Sequence, residues 1–264
     1  MNDLVSYCDG YLRIREIDDY ENACNGLQLE NSGALRKIAA AVDFSTRALE
    51  AAAESGANLL IVHHGMFWGG LRPITNVWRR QLKFALENDI AVYSAHLPLD
   101  LHPEVGNNIL LARALGIEDS QPFFEEKGSL LGRRATVEIV LTNLVARLEK
   151  ALDAPVQVIC GGHGFARETG PKSVAQNKPA RVRQIGVITG GAGGEIERVA
   201  AEGIDTFITG EAPHWAAVAA HDLKINFFVA GHYATEVFGV RALASHLSER
   251  FGIPHEFIDC PTGF

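Results

Sequence analysis

Short apolar runs alternate with helical patterns through the first part of this 264-residue chain, and several of the runs end on metal-type side chains. KIAAAVD is followed by STRALEAAAESG, NLLIVHH by VWRRQLKFALEND, and AVYSAHL by NNILLARALG. A repeated strand-helix rhythm predicts a largely parallel sheet covered by helices, with right-handed crossovers and sites beyond the carboxyl ends of the strands. Ser45 is placed to N-cap a helix, and Gly56 and Gly116 to terminate two others.

From about Gln121 the rhythm restarts with shorter pieces: FFEEKGSLLGRRATVEIVL, a helix over 143–152, VQVIC, RQIGVITGG, a helix over 195–202, TFITGE and a helix over 214–222. The expected fold class is therefore α/β and two-lobed, each lobe a mixed or largely parallel sheet flanked by helices. Residues 1–121 together with 225–264 form a metal-binding lobe. Residues 122–224 form a second lobe inserted in it, because INFFVAGHYATE has to return its polar residues to ligands of the first.

The run NLLIVHHGMFWGG carries the adjacent histidines His63 and His64. Successive strand side chains point to opposite faces, so the two imidazoles converge if Asn58 to Val62 is strand and Gly65 stops it. Two further patches share the form of an apolar strand, then ligand-type residues, then a helix. AVYSAHLPLD delivers His96 and Asp100, and INFFVAGHYATE delivers His232 and Glu236. The last two are four apart, so a helix starting near Gly231 puts them on one face. Imidazole nitrogen with carboxylate oxygen suits zinc, iron, manganese or cobalt, and the sequence does not choose among them.

Each residue also has an ordinary reading. A histidine after a strand is commonly a hydrogen-bonded loop residue, Asp100 could cap a helix or turn, and Glu236 could complement a helix dipole. All three patches follow apolar strands, and one shared site accounts for them together.

Composition narrows the function classes. Hydrophobic residues are 47% and charged residues 21% of the chain, and no apolar stretch approaches the roughly 20 residues that span a bilayer. The amino-terminal stretch MNDLVSYCDGYLRIREIDDY is acidic and amphipathic, unlike a signal peptide, so a cytoplasmic protein with no membrane partner is expected. Cys8, Cys24, Cys160 and Cys260 lack CxxC spacing and read as reduced thiols. A net charge of −8 argues against sequence-independent nucleic-acid binding, which needs clustered cations, but is compatible with a small anionic substrate.

Other features are less specific. GGAGG at 190–194 could cradle a phosphate at a helix start or serve a tight strand-to-helix turn, and no Walker lysine follows it. Glu211 of TGE faces a cleft or simply precedes a helix, the second being favoured. The polar stretch 161–183, with Arg167, Lys172, Lys178, Arg181 and Arg183, reads as a solvated connector before an anion funnel. Trp68, Trp78 and Trp215 are core residues or interface anchors.

With HHGMFW, HLPLD and GHYATE in place, the chain closely resembles the dinuclear-metal-centre proteins related to the Ngg-interacting factor, the GTP cyclohydrolase I type 2 homologues. NGLQ at 25–28, VDFST, GNN at 106–108 and TGGAGGEIERVAAEGIDTFITGE extend the likeness over nearly the whole chain. Tyr233 stands where some relatives place a further histidine, and residues 163–182 diverge more.

The resemblance implies that His63, His64, Asp100, His232 and Glu236 ligate two divalent metal ions per subunit. It also implies a toroidal homohexamer. Five protein ligands for two ions leave open positions, as in catalytic rather than structural centres. The resulting expectation is a metal-dependent hydrolase acting on a small nucleotide-like substrate, GTP cyclohydrolase activity being implied by the resemblance alone. The alternative is a non-catalytic metal-handling or partner-binding hexameric scaffold. His96 is expected behind the ligands, as an orienting or proton-transfer group.

Overall fold

The computed structural model describes residues 1–161 and 181–263. In chain order the first elements are α1 (Asn2–Tyr11), β1 (Gly26–Leu29), β2 (Ile38–Asp43), α2 (Thr46–Glu54), β3 (Leu59–His64), α3 (Asn76–Glu87), β4 (Ala91–Ser94), α4 (Leu97–Asp100) and α5 (Asn107–Ala114). There follow β5 (Gln121–Glu126), β6 (Ser129–Val140), α6 (Leu141–Leu152), β7 (Gln157–Cys160), β8 (Arg181–Val187), α7 (Ile196–Ala201), β9 (Thr206–Thr209), α8 (His214–Leu223), β10 (Asn226–Val229), α9 (His232–Phe251) and β11 (His255–Phe257). The protein is α/β, with two mixed sheets flanked by helices. Among the described residues, one compact unit comprises 1–107, 126–129 and 236–262, and the other 108–125, 130–161, 181–235 and 263.

The first unit holds a five-stranded sheet in the order β1-β4-β3-β2-β11. β2, β3, β4 and β11 run parallel, while β1 closes the edge antiparallel to β4. Every residue of β3 is buried, as expected of a central parallel strand covered on both faces. Ala39, Ala41, Leu60, Val62 and Val92 meet Leu49 and Ala52 of α2 and Trp78 and Ala85 of α3 in one apolar cluster. Burying a Leu- or Val-sized side chain contributes about 1.5–3 kcal/mol, which fixes these strand ends firmly. Ser45 caps α2 by accepting the Ala48 amide at 3.1 Å, and Gly56 terminates it at φ +78°.

The second unit holds a six-stranded sheet in the order β5-β6-β8-β9-β10-β7. β8, β9 and β10 are parallel; β6 and β7 pair antiparallel with β8 and β10. The turn between β5 and β6 places Lys127 at φ +51° and Gly128 at +73°, the twist that suits a two-residue hairpin. Phe123 lies over Gly132 and Gly186, where an added Cβ would come within 2.5 and 2.7 Å of its ring. Phe207 and Phe227 stack at 5.5 Å in the same core.

Two expectations change. The sequence pattern groups residues 225–264 with the first lobe, but β10 pairs with β9 and β7 in the second sheet. The division between the units falls after Thr235, within the first turns of α9. The pattern also ends β3 at Val62, yet the ladder continues through Asp43↔His64, and the His64 carbonyl accepts the Phe44 amide at 2.9 Å. Both histidines are thus strand residues, and their rings still lie with centroids 4.8 Å apart.

Candidate metal centre

Within the first unit, the carboxyl ends of β2, β3 and β4 bring Asp43, His63, His64 and His96 to one edge of the sheet. His63 is fully buried, and its Nδ1 lies 2.9 Å from the Ala95 carbonyl. A carbonyl can only accept, so Nδ1 carries a proton, and Nε2 is the nitrogen left to take a second proton or a metal ion. That Nε2 is buried without a hydrogen bond. Asp100 Oδ2 and Glu236 Oε1 each stand 3.5 Å from it.

The neighbouring histidines are held the same way round. Asp43 Oδ1 accepts from His64 Nδ1 at 2.8 Å, and Asp19 Oδ1 accepts from His96 Nδ1 at 2.9 Å. His64 Nε2 faces Glu236 Oε2 at 3.5 Å. The candidate ligand atoms of His63, His64 and His96 lie within 4.8 Å of one another, and all three residues are buried. These imidazoles form a group that could hold a metal ion. Trp68 packs over them, 4.7 Å from His64 and 4.4 Å from His96 between ring centroids.

The carboxylates are equally fixed. α4 carries Asp100, whose Oδ1 accepts from Asn107 Nδ2 at 2.8 Å; Asn107 Oδ1 in turn accepts the Gly239 amide of α9 at 2.6 Å. One asparagine thereby ties Asp100 to the helix that carries Glu236. Glu236 itself is 3% exposed. His232 stands one turn earlier on α9, on the same side of the helix as Glu236. Its Nδ1 is held by Glu211 Oε2 at 2.8 Å within the second unit.

Complete burial penalises an imidazolium at His63, but the charges of Asp100 and Glu236 outweigh it and hold the His63 pKa well above the ordinary histidine value. The site therefore favours a positive charge between the two carboxylates, whether from a proton or a metal ion. Donor spacing fits the metal: ligands about 2.0 Å from a shared tetrahedral ion are about 3.3 Å apart, close to the 3.5 Å separations observed.

His63, His64, His96, Asp100 and Glu236 lie together in one unit, and His232 falls in the other. Asp19, Asn25, Asp43 and Asn107, which hold these residues in place, have no site role in the sequence reading. Asp43 ends an apolar strand as His64 does, a usable signal, whereas nothing distinguishes Asp19 from the acidic residues beside it. Glu211 holds His232, so its favoured reading as a residue merely preceding a helix is incomplete.

Close packing accounts for Gly193: its amide donates to the Glu211 carbonyl, and a Cβ there would lie 2.3 Å from Ala212 Cβ. Arg167, Lys172 and Lys178 lie outside the described residues, while Arg181 pairs with Glu138 at 2.9 Å. Trp78 is core and Trp215 is 50% exposed. No helix among the described residues is long and apolar enough to cross a membrane.

A strand-end histidine cluster on a two-sheet α/β fold defines a class of candidate metal proteins, and comparison with known sequences makes the class specific. The chain belongs to the Duf34/NIF3 (NGG1p interacting factor 3) family, whose pattern matches residues 1–262. It is 41% identical over 264 residues to a Deinococcus radiodurans protein named GTP cyclohydrolase 1 type 2 homolog, covering 99% of this chain and 94% of that one. A Pseudomonas aeruginosa protein of the same name is 41% identical over 262 residues, covering 99% and 97%. Among solved structures, TTHA1606 from Thermus thermophilus superposes with a TM-score of 0.86 at 37% identity, covering 100% of this chain and 99% of that one.

Proposed function

We propose that His63, His64, Asp100, His232 and Glu236 hold two divalent metal ions and that the protein is a metal-dependent hydrolase of a small nucleotide-like substrate. The observation that carries this reading is the division of one carboxylate between two imidazoles: Glu236 offers Oε1 to the His63 side and Oε2 to the His64 side, each at 3.5 Å. A carboxylate so placed would help to hold metal on both the His63 and the His64 side. When bound, divalent ions supply Lewis acidity and make water a nucleophile at neutral pH.

The chain's own residues supply the frame. Ala95 and Asp43 hold the Nδ1 atoms of His63 and His64, which leaves each Nε2 as the ligand atom and raises its basicity, and Glu211 holds the Nδ1 of His232 in the same way. Asn107 keeps Asp100 from turning away. Five protein donors shared by two ions leave positions for substrate and water. GTP is the first substrate to try, because relatives at 41% identity are named for that reaction. A homohexamer is the assembly proposed, on the family resemblance.

The test is metal content per chain by elemental analysis of untagged protein, with GTP turnover measured on the same sample. About two ions, with turnover lost in folded His64→Ala and Glu236→Ala variants, is the expected result. Bound metal without turnover on GTP or other nucleotides would favour the metal-handling reading instead. No metal uptake after reconstitution would sink the proposal.

A further inference from the structure

His96 stands outside the ligand set proposed above, yet its placement resembles that of the ligands. β3 and β4 pair with Val62 opposite Ser94. His96 lies two residues beyond that last pair, past the end of β4, as the residue that precedes α4. The His96 ring centroid lies 4.9 Å from that of His63 and 5.7 Å from that of His64, and its candidate ligand atom is within 4.8 Å of theirs.

Asp19 decides which atom of His96 is available. Its Oδ1 accepts from His96 Nδ1 at 2.9 Å, while its Oδ2 accepts the Leu97 amide at 2.9 Å. Asn25 Oδ1 accepts the His96 amide at 2.7 Å. A carboxylate anchored by a neighbouring backbone amide cannot swing with the ring, so the imidazole is fixed with its proton on Nδ1 and its lone pair on Nε2. The arrangement repeats that of Asp43 with His64. Asp19 also accepts from the Tyr20 amide and from Asn25 Nδ2, at 2.7 Å each, so the carboxylate that orients the ring is itself held in place.

We propose that His96 is a further metal ligand through Nε2, with Asp19 as its positioning residue. The inference rests on the metal-centre reading above and adds an imidazole to it.

The test is the proton NMR spectrum of the chelated, Co(II)-reconstituted full chain, recorded in H2O and D2O. Each imidazole bound through Nε2 contributes one strongly shifted, exchangeable Nδ1–H signal. Ligation by His96 in addition to His63, His64 and His232 gives four such signals, against three without it. His96→Asn should remove one signal and change the visible cobalt bands. Asp19→Asn should shift the same signal and weaken cobalt binding by about 10–100-fold.

Three signals in the wild type, with His96→Asn leaving the visible spectrum and affinity unchanged, would overturn the assignment of His96 alone. A wild-type chain that takes up no cobalt would overturn the metal-centre reading and this inference with it. Should His96→Asn fail to fold, the wild-type signal count and the Asp19→Asn shift still decide.

Discussion

Asp43 and His64 occupy the same rung of the β2–β3 ladder, and the aspartate holds the imidazole Nδ1 at 2.8 Å. The contact follows from strand register, since rung partners on parallel strands project to the same face. Asparagine at position 43 preserves the shape but can turn an amide N–H toward Nδ1 and favour the other tautomer. Asp43→Asn is expected to lower metal affinity by about 10–100-fold with little loss of helix or strand. Isothermal titration with Zn(II) or Co(II), beside a circular dichroism spectrum, checks both halves of the expectation.

Asn107 bonds both Asp100 and the backbone of α9. Removing its amide leaves a buried carboxylate oxygen and a buried backbone N–H to find other partners. Asn107→Ala should cost about 1–3 kcal/mol for each group left unsatisfied. Urea unfolding of the metal-free protein would show this as a lower midpoint at unchanged slope. A midpoint equal to that of the wild type would mean that water replaces the side chain.

Acid sensitivity is expected at the surface contact between Ser32 and Asp89. The Ser32 hydroxyl and amide both donate to Asp89, at 2.7 Å each. These bonds hold the Asp89 carboxyl below its ordinary value, with Arg36 adding to the effect. Because the folded pKa is depressed, the contribution is complete above the unfolded value of about 3.9 and is lost as pH falls through the folded one. NMR titration of Asp89 should give a midpoint below about 3.9 that rises in Ser32→Ala. The exposed setting keeps the stability effect within about 1 kcal/mol.

Thiol chemistry should separate the cysteines. Cys8 is buried in α1, and burial, reinforced by Asp9, pushes its thiol up to about 12. Cys8 is then held as the unreactive thiol at pH 8, and it is shielded as well. Cys24 is exposed. Iodoacetamide on the native protein, followed by peptide mass mapping, should find Cys24 modified and Cys8 intact until denaturant is added. Equal labelling would show that α1 opens readily.

Much of the site is legible because strand ends announce themselves. His63, His64, His96, Asp100, His232 and Glu236 each follow an apolar run, and the spacing of the last two matches one helical turn. Partners are harder to read. Asp19 and Asn25 reach His96 from a region with little periodicity, across 77 and 71 residues of sequence. The misplacement of β10 has a related cause: FFVA is recognisable as a strand, but its choice of β9 and β7 as neighbours depends on pairing that local pattern does not encode. The continuity of VAGHYATE invites the view that strand and helix belong to one unit, whereas the division falls between Thr235 and Glu236.

The rung shared by Asp43 and His64 also bears on which changes in chain length this family can absorb. Residues added to the exposed stretch around Leu71, which is 96% exposed, would lengthen a loop at small entropic cost. A single deletion inside β2 or β3 would instead turn every later side chain of that strand to the opposite face. Natural insertions and deletions should therefore gather in the loops and spare the runs from Ile38 to Asp43 and from Leu59 to His64, whatever the apolar residues within those runs become.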